Sequence, residues 1–275
     1  MLPMARLLFY VRVWLTFLQN SLQRELQFRG NLVTTLITRG FWFVMQLVLF
    51  DLIYRQVPAI NDWNRAEYFG FMATVMLVNS LVEAFFMPNC ANFSELIRTG
   101  NLDFALVKPI DTQFLVSLEK MDLAMMTQLA MGAALLWYSL HTSGNSVGFL
   151  QGVLYLGLVI AATAFFYSLM IALACTSIFF GRNQSLLDFW FYITVFARYP
   201  STIYSGTPSG EVIRFVFSYV LPILLVVTVP ARVLMSMVIE PNWLSALTLA
   251  TGVIALGLSR AVFKWSLRHY RSASS

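Results

Sequence analysis

The sequence predicts an all-α polytopic membrane protein with both chain ends in the cytoplasm. Apolar residues (AVILMFWYC) make up 59% of the 275 residues and charged residues only 11%, whereas soluble domains carry about 25% charged residues. The mean hydropathy is +0.71. The apolar residues also form runs of roughly 20 residues instead of the short alternations of barrel strands. Helices are therefore the expected spanning elements.

The chain is predicted to be a single transmembrane domain over residues 1–275, because no soluble stretch is long enough to bury its own core. Any ATP chemistry is therefore expected in a partner, and no cofactor or metal in this chain. The net charge of +5 is small and is concentrated at the chain ends and beside predicted cytoplasmic loops, which argues against nucleic-acid binding. Cys90, expected in a loop, and Cys175, in an apolar run, indicate neither a disulfide framework nor a metal site.

Residues 1–30 are predicted to form a cytoplasmic amphipathic helix that leads into the first span as an elbow. Arg12 interrupts the first apolar stretch, so this segment is expected to be retained and not cleaved as a signal peptide. A helix with arginines on one side and an apolar stripe on the other suits the membrane interface. The stripe recurs at three- and four-residue steps and comprises Leu8, Val11, Leu15, Leu18, Leu22 and Leu26.

The first two spans are predicted at Leu32–Tyr54, after a break at Gly30 and Asn31, and at Tyr68–Met87. Each carries one ionisable residue, Arg39 in the first and Glu83 near the end of the second. A central Arg costs roughly 2.5–3.5 kcal/mol on insertion scales, which the surrounding apolar residues offset. Two interpretations of these intramembrane polar residues stay open. They are either satisfied by snorkelling, pairing or the interface, or they take part directly in transport.

The third and fourth spans are predicted at about Phe114–Leu140 and at Val147–Phe180. Charged residues in the first turns of the third span are expected at the cytoplasmic interface. The fourth apolar run is longer than one perpendicular helix needs, which favours a tilted or broken span. Its first residues include Gly148 and Gly152, a spacing that permits close approach of a neighbouring helix.

The last part of the chain predicts a fifth span from about Leu186 to Pro200 and a final span at Trp243–Val262. Between them, residues 212–239 are apolar but interrupted by Pro222 and Pro230, as in a discontinuous helix. If both termini are cytoplasmic, the number of crossings is even. Residues 212–239 are therefore predicted to be a re-entrant helical hairpin, and the chain to have six spans.

The distribution of basic residues supports this orientation, because Lys and Arg in short loops favour the cytoplasmic side. The predicted outer segments contain Arg55, Arg65, Arg198, Arg214 and Arg232. The predicted inner segments contain more of them, namely Arg6, Arg12, Arg24, Arg29, Arg98, Lys108, Lys120, Arg182, Arg260, Lys264, Arg268 and Arg271.

Motifs for soluble catalysis are missing from the sequence, which has no phosphate-binding glycine loop before a lysine and no histidine pair at metal spacing. No catalytic residue is therefore predicted. A secondary transporter is one alternative, but it would be expected to show corresponding broken helices in two repeats. An intramembrane lipid-modifying enzyme is another, and it would be expected to cluster His, Asp or Glu at one membrane face.

The segment with the highest density of charge lies between the second and third spans, at residues 88–113, which are predicted to be a cytoplasmic loop. From Ile97 to Pro109 it reads IRTGNLDFALVKP. It resembles the corresponding loop of type 2 ABC exporter permeases, in particular a branch of uncharacterised six-span bacterial permeases. In that branch the pattern I-R-x-G-x-L-D-x-x-L-x-x-P recurs, and every fixed position is matched here.

The resemblance implies a permease subunit in the bacterial cytoplasmic (inner) membrane, which forms the translocation path of an ATP-binding cassette exporter. It further implies a dimer with itself or with a second permease, and two cytoplasmic ATPase subunits that bind the ATP. Residues 88–113 would contain the coupling loop that docks on the ATPase. The substrate is not implied. The coupling residues would be Glu95, Arg98, Gly100, Leu102, Asp103, Leu106, Lys108 and Pro109.

Overall fold

Helices account for nearly all of the regular structure in the computed structural model, which describes residues 3–27, 29–180, 191–192, 194–235 and 243–271. A 3₁₀ turn spans Ser201–Tyr204, and a π-helical turn spans Val216–Val220. The two short strands are β1 (Ala59–Ile60) and β2 (Trp63–Asn64). The helices are α1 (Pro3–Gln27), α2 (Arg29–Gln56), α3 (Arg65–Phe85), α4 (Met87–Arg98), α5 (Leu102–Val107), α6 (Thr112–Leu118), α7 (Ala124–Ser143), α8 (Phe149–Cys175), α9 (Ser177–Phe180), α10 (Pro208–Phe215), α11 (Ile223–Leu234) and α12 (Leu244–His269).

The prediction of an all-α polytopic membrane protein is confirmed. Among the described residues, four helical stretches are long and apolar enough to cross a membrane: Leu32–Gln56, Arg65–Arg98, Phe149–Phe180 and Leu244–His269. They correspond to the predicted first, second, fourth and last spans. A fifth candidate is the bent pair Pro208–Val220 and Ile223–Leu234, whose halves meet at 84°. Most of the predicted fifth span lies outside the described residues, although 191–192 and 194–196 are helical.

A β-hairpin joins α2 to α3 and fixes where α3 begins. Asn61 supplies the left-handed turn with a φ of 53°, a conformation that Asn adopts more readily than most residues. Asn64 then caps α3, because its side chain accepts from Glu67 N at 3.0 Å while the Glu67 carboxylate accepts from Asn64 N at 2.8 Å. This reciprocal pair satisfies two backbone donors at the helix start.

The bent pair is held against this hairpin and against the start of α8. Arg232 forms an ion pair with Asp62 and lies 5.4 Å above the ring of Trp63. At this same C-terminal end of α11, Gln151 donates to Val233 O at 2.6 Å and Asn145 donates to Met235 O at 2.8 Å. These two amides satisfy carbonyls that the end of a helix leaves without an intrahelical donor.

The core of the bundle lies among α3, α8 and α11. The most apolar windows of the α3–α4 and α8–α9 stretches are 61% and 67% buried, against 22% for α12 and 6% for α2. In α11 almost every residue from Ile223 to Leu234 is buried. Among its described side chains, the helix α2 therefore buries only Phe50 and Tyr54, near the hairpin, packs Phe43 and Leu47 partly against the core, and exposes much of its remaining apolar surface.

The stretch from Arg65 to Arg98 is longer than the membrane requires. Its 34 residues correspond to about 50 Å at 1.5 Å per residue, whereas the hydrocarbon core is about 30 Å thick. The excess belongs to α4, which has a higher proportion of polar residues than α3, and α9 runs beside it. Ser94 and Ser177 are hydrogen-bonded at 2.8 Å, and the rings of Phe93 and Phe263 lie 5.7 Å apart. The end of α4 therefore projects from the bundle as a supported helix.

Three predicted boundaries are wrong. The helix α2 begins at Arg29, so Gly30 and Asn31 do not break the chain. The predicted loop at 88–113 is mostly helical, since α4 runs to Arg98 and α5 follows, and Cys90 consequently lies buried in a helix. The predicted third span is divided into α6 and α7, with a non-helical break around residues 119–122. For the break around residues 119–122, side chains from distant helices bond the backbone of Lys120 and Met121, which the local sequence pattern does not indicate.

The glycine pair predicted to allow close helix packing does not do so within the described chain. No heavy atom lies within 4 Å of a Cβ built on Gly148 or Gly152. Close approach occurs instead at Gly252, where α12 crosses α8. A Cβ at Gly252 would lie 2.7 Å from the carbonyl oxygen of Ala161 and 2.8 Å from its Cα. Because both atoms belong to the backbone, a larger residue requires the two helices to move apart.

This contact predicts that Gly252→Ala destabilises the protein, whereas Gly257→Ala on the same helix does not. A Cβ at Gly257 has no neighbour within 4 Å, so the control gains only the helix propensity of Ala. Overpacking costs about 1–3 kcal/mol, and we expect the melting temperature of the detergent-solubilised Gly252→Ala protein to fall by several degrees. Equal melting temperatures for the two variants would contradict the crossing at Gly252.

Candidate functional site

The chain turns sharply between α4 and α5, at the projecting end of the bundle. Gly100 has a φ of 72°, in the left-handed region that glycine adopts without steric cost. Thr99 N donates to Glu95 O at 3.0 Å, and Gly100 N donates to Ile97 O at 3.2 Å. The turn therefore ends α4 with its last carbonyls satisfied, as glycine-terminated helices commonly do.

The short helix α5 has one buried and one exposed face. Leu102 and Ala105 are buried against the bundle. Three residues apart on the other side, Phe104 and Val107 are 73% and 83% exposed. Residues at this spacing lie side by side on a helix, so the two side chains form a small apolar projection. We call Phe104 and Val107 the α5 knob.

Charged residues flank the α5 knob on both sides. Arg98 donates through Nε to Glu95 at 2.8 Å, and both side chains are about half exposed. Exposed pairs of this kind contribute little to stability, so their charges remain accessible to a partner surface. Lys108 and Pro109 follow α5 and are exposed. Lys108 has an extended backbone, with a ψ of 138°, which a following proline favours.

The eight coupling residues predicted from the sequence thus lie in one continuous segment. This segment comprises the last turn of α4, the left-handed turn at Gly100, α5 and the two residues after α5. Their environments differ, however. Leu102 is fully buried and supports α5 from inside, and Gly100 provides the turn. Leu106 is 39% exposed, and the charged residues among them border the α5 knob.

The segment after α5 is anchored through Asp111. Its carboxylate caps α6 by accepting from Phe114 N at 3.0 Å, and it forms an ion pair with Arg260 of α12. Arg260 also donates to Gln113 at 2.9 Å, and Asp111 N donates to the hydroxyl of Tyr10 at 3.2 Å. One short segment therefore joins α1, α6 and α12.

Burial alone would raise the pKa of Asp111, but its hydrogen-bond donors reverse the direction. The guanidinium of Arg260 and the backbone N–H of Phe114 both favour the charged carboxylate, and together they hold the pKa of Asp111 below its ordinary value. Asp111 is therefore ionised at neutral pH, and its ion pair with Arg260 is present.

The break between α6 and α7 is stabilised by side chains from other helices. Asn89 of α4 donates to Lys120 O at 2.6 Å and accepts from Lys120 N at 2.8 Å. Ser21 of α1 accepts from Met121 N at 3.1 Å. These bonds replace the intrahelical bonds that the break removes, and they attach α1 to the same region of the bundle as Tyr10 does.

Arg39 of α2 and Glu83 of α3 form an ion pair with an N–O distance of 3.1 Å. Pairing within the bundle was one of the two interpretations of these residues, and this geometry supports it. The pair joins the largely exposed α2 to the buried α3. It also removes the need to place an isolated charge in hydrocarbon, which is costly.

Four residues of this region were missed by the sequence analysis: Phe104, Val107, Asn89 and Arg260. Phe104 and Val107 could have been found from the sequence, because two apolar residues three positions apart within a charged segment indicate an apolar face on a short exposed helix. Asn89 and Arg260 act across 31 and 149 residues of sequence, respectively. No local pattern indicates partners at such separations.

Within the described part of the chain, no group of three or more His, Cys, Asp or Glu side chains is arranged to hold a metal ion. A family model described as "ABC-2 family transporter protein" matches residues 41–274. The matched range includes the α5 knob, Asp111 and Arg260. No curated protein matches the sequence.

The contacts of Asp111 predict that Asp111→Ala is more destabilising than Asp111→Asn, because Asn still caps a helix. A low folded-state pKa adds stability above the ordinary pKa, and this stability is lost as the pH falls through the folded-state value. The difference in melting temperature between the wild type and Asp111→Asn should therefore be present at pH 7 and shrink as the pH falls below the ordinary pKa of an aspartate. A difference that is independent of pH would contradict the ion pair with Arg260.

Proposed function

The chain belongs to the ABC-2 transporter family as a membrane permease of an ABC transporter, and we propose that it is the permease subunit of an exporter driven by a separate ATPase. The translocation path would lie in the membrane domain, and ATP would bind only to the partner subunit. Cytoplasmic ATPases of this class hydrolyse ATP outside the membrane, so the permease must present a surface to them.

The observation that carries the proposal is the α5 knob, which is exposed at the projecting end of the bundle. Phe104 and Val107 would insert into an apolar groove of the ATPase, and Arg98, Glu95 and Lys108 would border that groove. Aromatic residues at the centre of an interface, surrounded by charged residues at its rim, are the usual anatomy of binding hot spots. We propose residues 95–109 as the coupling element.

The anchoring of α5 supports a mechanical role. Leu102 and Ala105 pack it onto the bundle, and Asp111 joins the following segment to α1 and α12. A displacement of the knob would therefore be transmitted to several helices instead of being absorbed by a loose loop. Closure of the ATPase around ATP is the displacement that we propose drives alternating exposure of the path.

We propose that residues 95–109 lie in the cytoplasm of a bacterial cell, below the inner membrane, with both termini on the same side. The distribution of basic residues supports this orientation. The elbow role of α1 is supported by its contacts with the region of Asp111 and Met121, since both place it beside the coupling element. With this orientation, the β-hairpin and the start of α8 face the extracytoplasmic side.

A six-span topology remains our proposal for the whole chain. It treats the bent pair α10–α11 as re-entrant, in agreement with its 84° bend, and places a further span at about 186–200. The third span then consists of α6 and α7. The 20 residues of α7 correspond to about 30 Å of helix, enough to cross the hydrocarbon core.

We also propose that two permeases associate, as identical or as different chains. The support is the exposed apolar surface of α2, where only 6% of the spanning window is buried within one chain. The secondary transporter and the lipid-modifying enzyme are not proposed further, because the chain belongs to an ABC transporter family.

The coupling proposal predicts that Phe104→Ser weakens binding of the ATPase that copurifies from native membranes. Loss of a central aromatic residue costs about 2 kcal/mol or more at such interfaces, so we expect the Kd measured with purified components to rise at least ten-fold. Phe149→Ser is the matched control. Phe149 is 90% exposed, and it lies at the start of α8, on the opposite side of the membrane from the α5 knob in the proposed orientation. An unchanged Kd for Phe104→Ser, or equal effects of both substitutions, would rule out the knob as the docking element.

The orientation proposal predicts opposite labelling of single cysteines at the same two positions. Cys90 and Cys175 are 0% and 1% exposed and should not react, so the wild-type chain serves as background. With a membrane-impermeant maleimide, Phe149→Cys should be labelled in intact spheroplasts. Phe104→Cys should be labelled only in inverted vesicles. Labelling of Phe104→Cys from the outside would overturn the cytoplasmic placement of residues 95–109.

A further inference from the structure

A cavity of about 600 Å³ lies between α2, α3 and α7, at the end of the bundle next to the β-hairpin. Its walls are mostly aliphatic and aromatic, and charged residues occur only toward the hairpin end of α2 and the start of α3. It is separate from residues 95–111, which lie at the other end of the α3–α4 stretch. The lining residues are Phe43, Leu47, Val48, Asp51, Leu52, Arg55, Arg65, Phe69, Met131, Ala134, Leu135 and Tyr138.

The charged part of the lining carries an excess of positive charge. Asp51 accepts from Arg55 at 3.0 Å and also forms an ion pair with Arg65. One carboxylate therefore faces two guanidinium groups. Glu67, two residues after Arg65, does not line the cavity, and its carboxylate accepts from Asn64 N at 2.8 Å.

The two guanidinium groups retain accessible donors. Arg55 and Arg65 are 71% and 48% exposed, whereas Asp51 is 23% exposed. Arg65 also lies 5.4 Å above the ring of Phe69, which holds it at the edge of the cavity. Guanidinium groups bind phosphate well, because their donors match two of its oxygens.

The apolar part of the cavity opens beside α2, a helix whose surface is largely exposed to the surroundings of the bundle. In a membrane those surroundings are acyl chains. An occupant that satisfies both parts of the cavity needs an apolar chain and an anionic group at one end. A neutral apolar molecule would leave the two arginines sharing the single carboxylate of Asp51, and a small inorganic anion would leave the apolar walls empty.

We propose that this cavity binds one anionic phospholipid of the bilayer, with its phosphate at Arg55 and Arg65 and an acyl chain between α2 and α7. The lipid would fill the space between α2 and the buried helices, and it would thereby attach α2 to the bundle. This inference does not depend on ATPase coupling, because the cavity and the α5 knob share no residue.

The proposal is tested by native mass spectrometry of the full-length protein released from detergent micelles that contain phosphatidylglycerol or phosphatidylcholine. We expect the wild type to retain one phosphatidylglycerol and little phosphatidylcholine. In Arg55→Gln/Arg65→Gln the apparent affinity for phosphatidylglycerol should fall about ten-fold. Arg214→Gln is the matched control and should retain the lipid, because Arg214 is also a half-exposed arginine paired with an acid, Glu211, but lies outside the cavity.

A substitution of opposite sign separates charge recognition from general loss of structure. Asp51→Asn removes the only carboxylate of the lining and increases the positive charge, so it should strengthen phosphatidylglycerol binding. A damaged fold would weaken it instead. If Asp51→Asn and Arg55→Gln/Arg65→Gln changed retention in the same direction, the proposed headgroup site would be wrong.

Filling the cavity provides a test without any change of charge. Ala134 lines the cavity, and Ala133 is exposed on the same helix but does not line it. We expect Ala134→Trp to displace the lipid and Ala133→Trp to leave it bound. The proposal would be overturned if the wild type retained phosphatidylcholine as well as it retains phosphatidylglycerol. It would also be overturned if Ala134→Trp lost the mass of the dimer but kept the lipid, because a second permease, and not a lipid, would then cover the cavity.

Discussion

Every backbone N–H and C=O within the hydrocarbon needs a partner from the protein, and the remainder of this structure follows from how that demand is met. The helices α2, α8 and α12 meet it by themselves over their whole length. Elsewhere the chain interrupts its helices and supplies polar side chains from distant segments. Asn89 and Ser21 do this at the break before α7, and Gln151 and Asn145 do it at the end of α11. The fold is thus held by a few long-range amide and hydroxyl contacts as well as by apolar packing.

This constraint also accounts for the polar region around α5. The end of α4 leaves the hydrocarbon, so its turn can use exposed groups, and an exposed pair such as Arg98 and Glu95 is tolerated there. The ion pair of Asp111 and Arg260 is different, since it is half-buried and connects elements far apart in sequence. Its function is positional: it fixes the segment that carries the α5 knob relative to α1 and α12.

The sequence predicted the class of protein and four of its spans because these depend on composition and on the length of apolar runs. It also predicted the region of Gly100 and Lys108, where a motif is continuous in the chain. It missed the helix break around residues 119–122 because that break is stabilised by distant partners. Asn89 makes the interruption before α7 stable, and nothing local to that interruption indicates Asn89. For the same reason the glycine that permits close packing was Gly252 and not Gly148 or Gly152.

The stretch from Arg65 to Arg98 reaches from the β-hairpin to α5. It consists of two consecutive helices, α3 and α4, which meet at Phe86, so a displacement of one helix is passed to the other through this junction. Under the proposed coupling, a displacement of the arm that ends at α5 would reach the other arm, which begins after the β-hairpin. That hairpin carries Trp63 and Asp62, which hold Arg232 of the bent pair. The two ends of the bundle are therefore joined by only two consecutive helices, and the junction between them at Phe86 is the place where such a displacement would be passed on or absorbed.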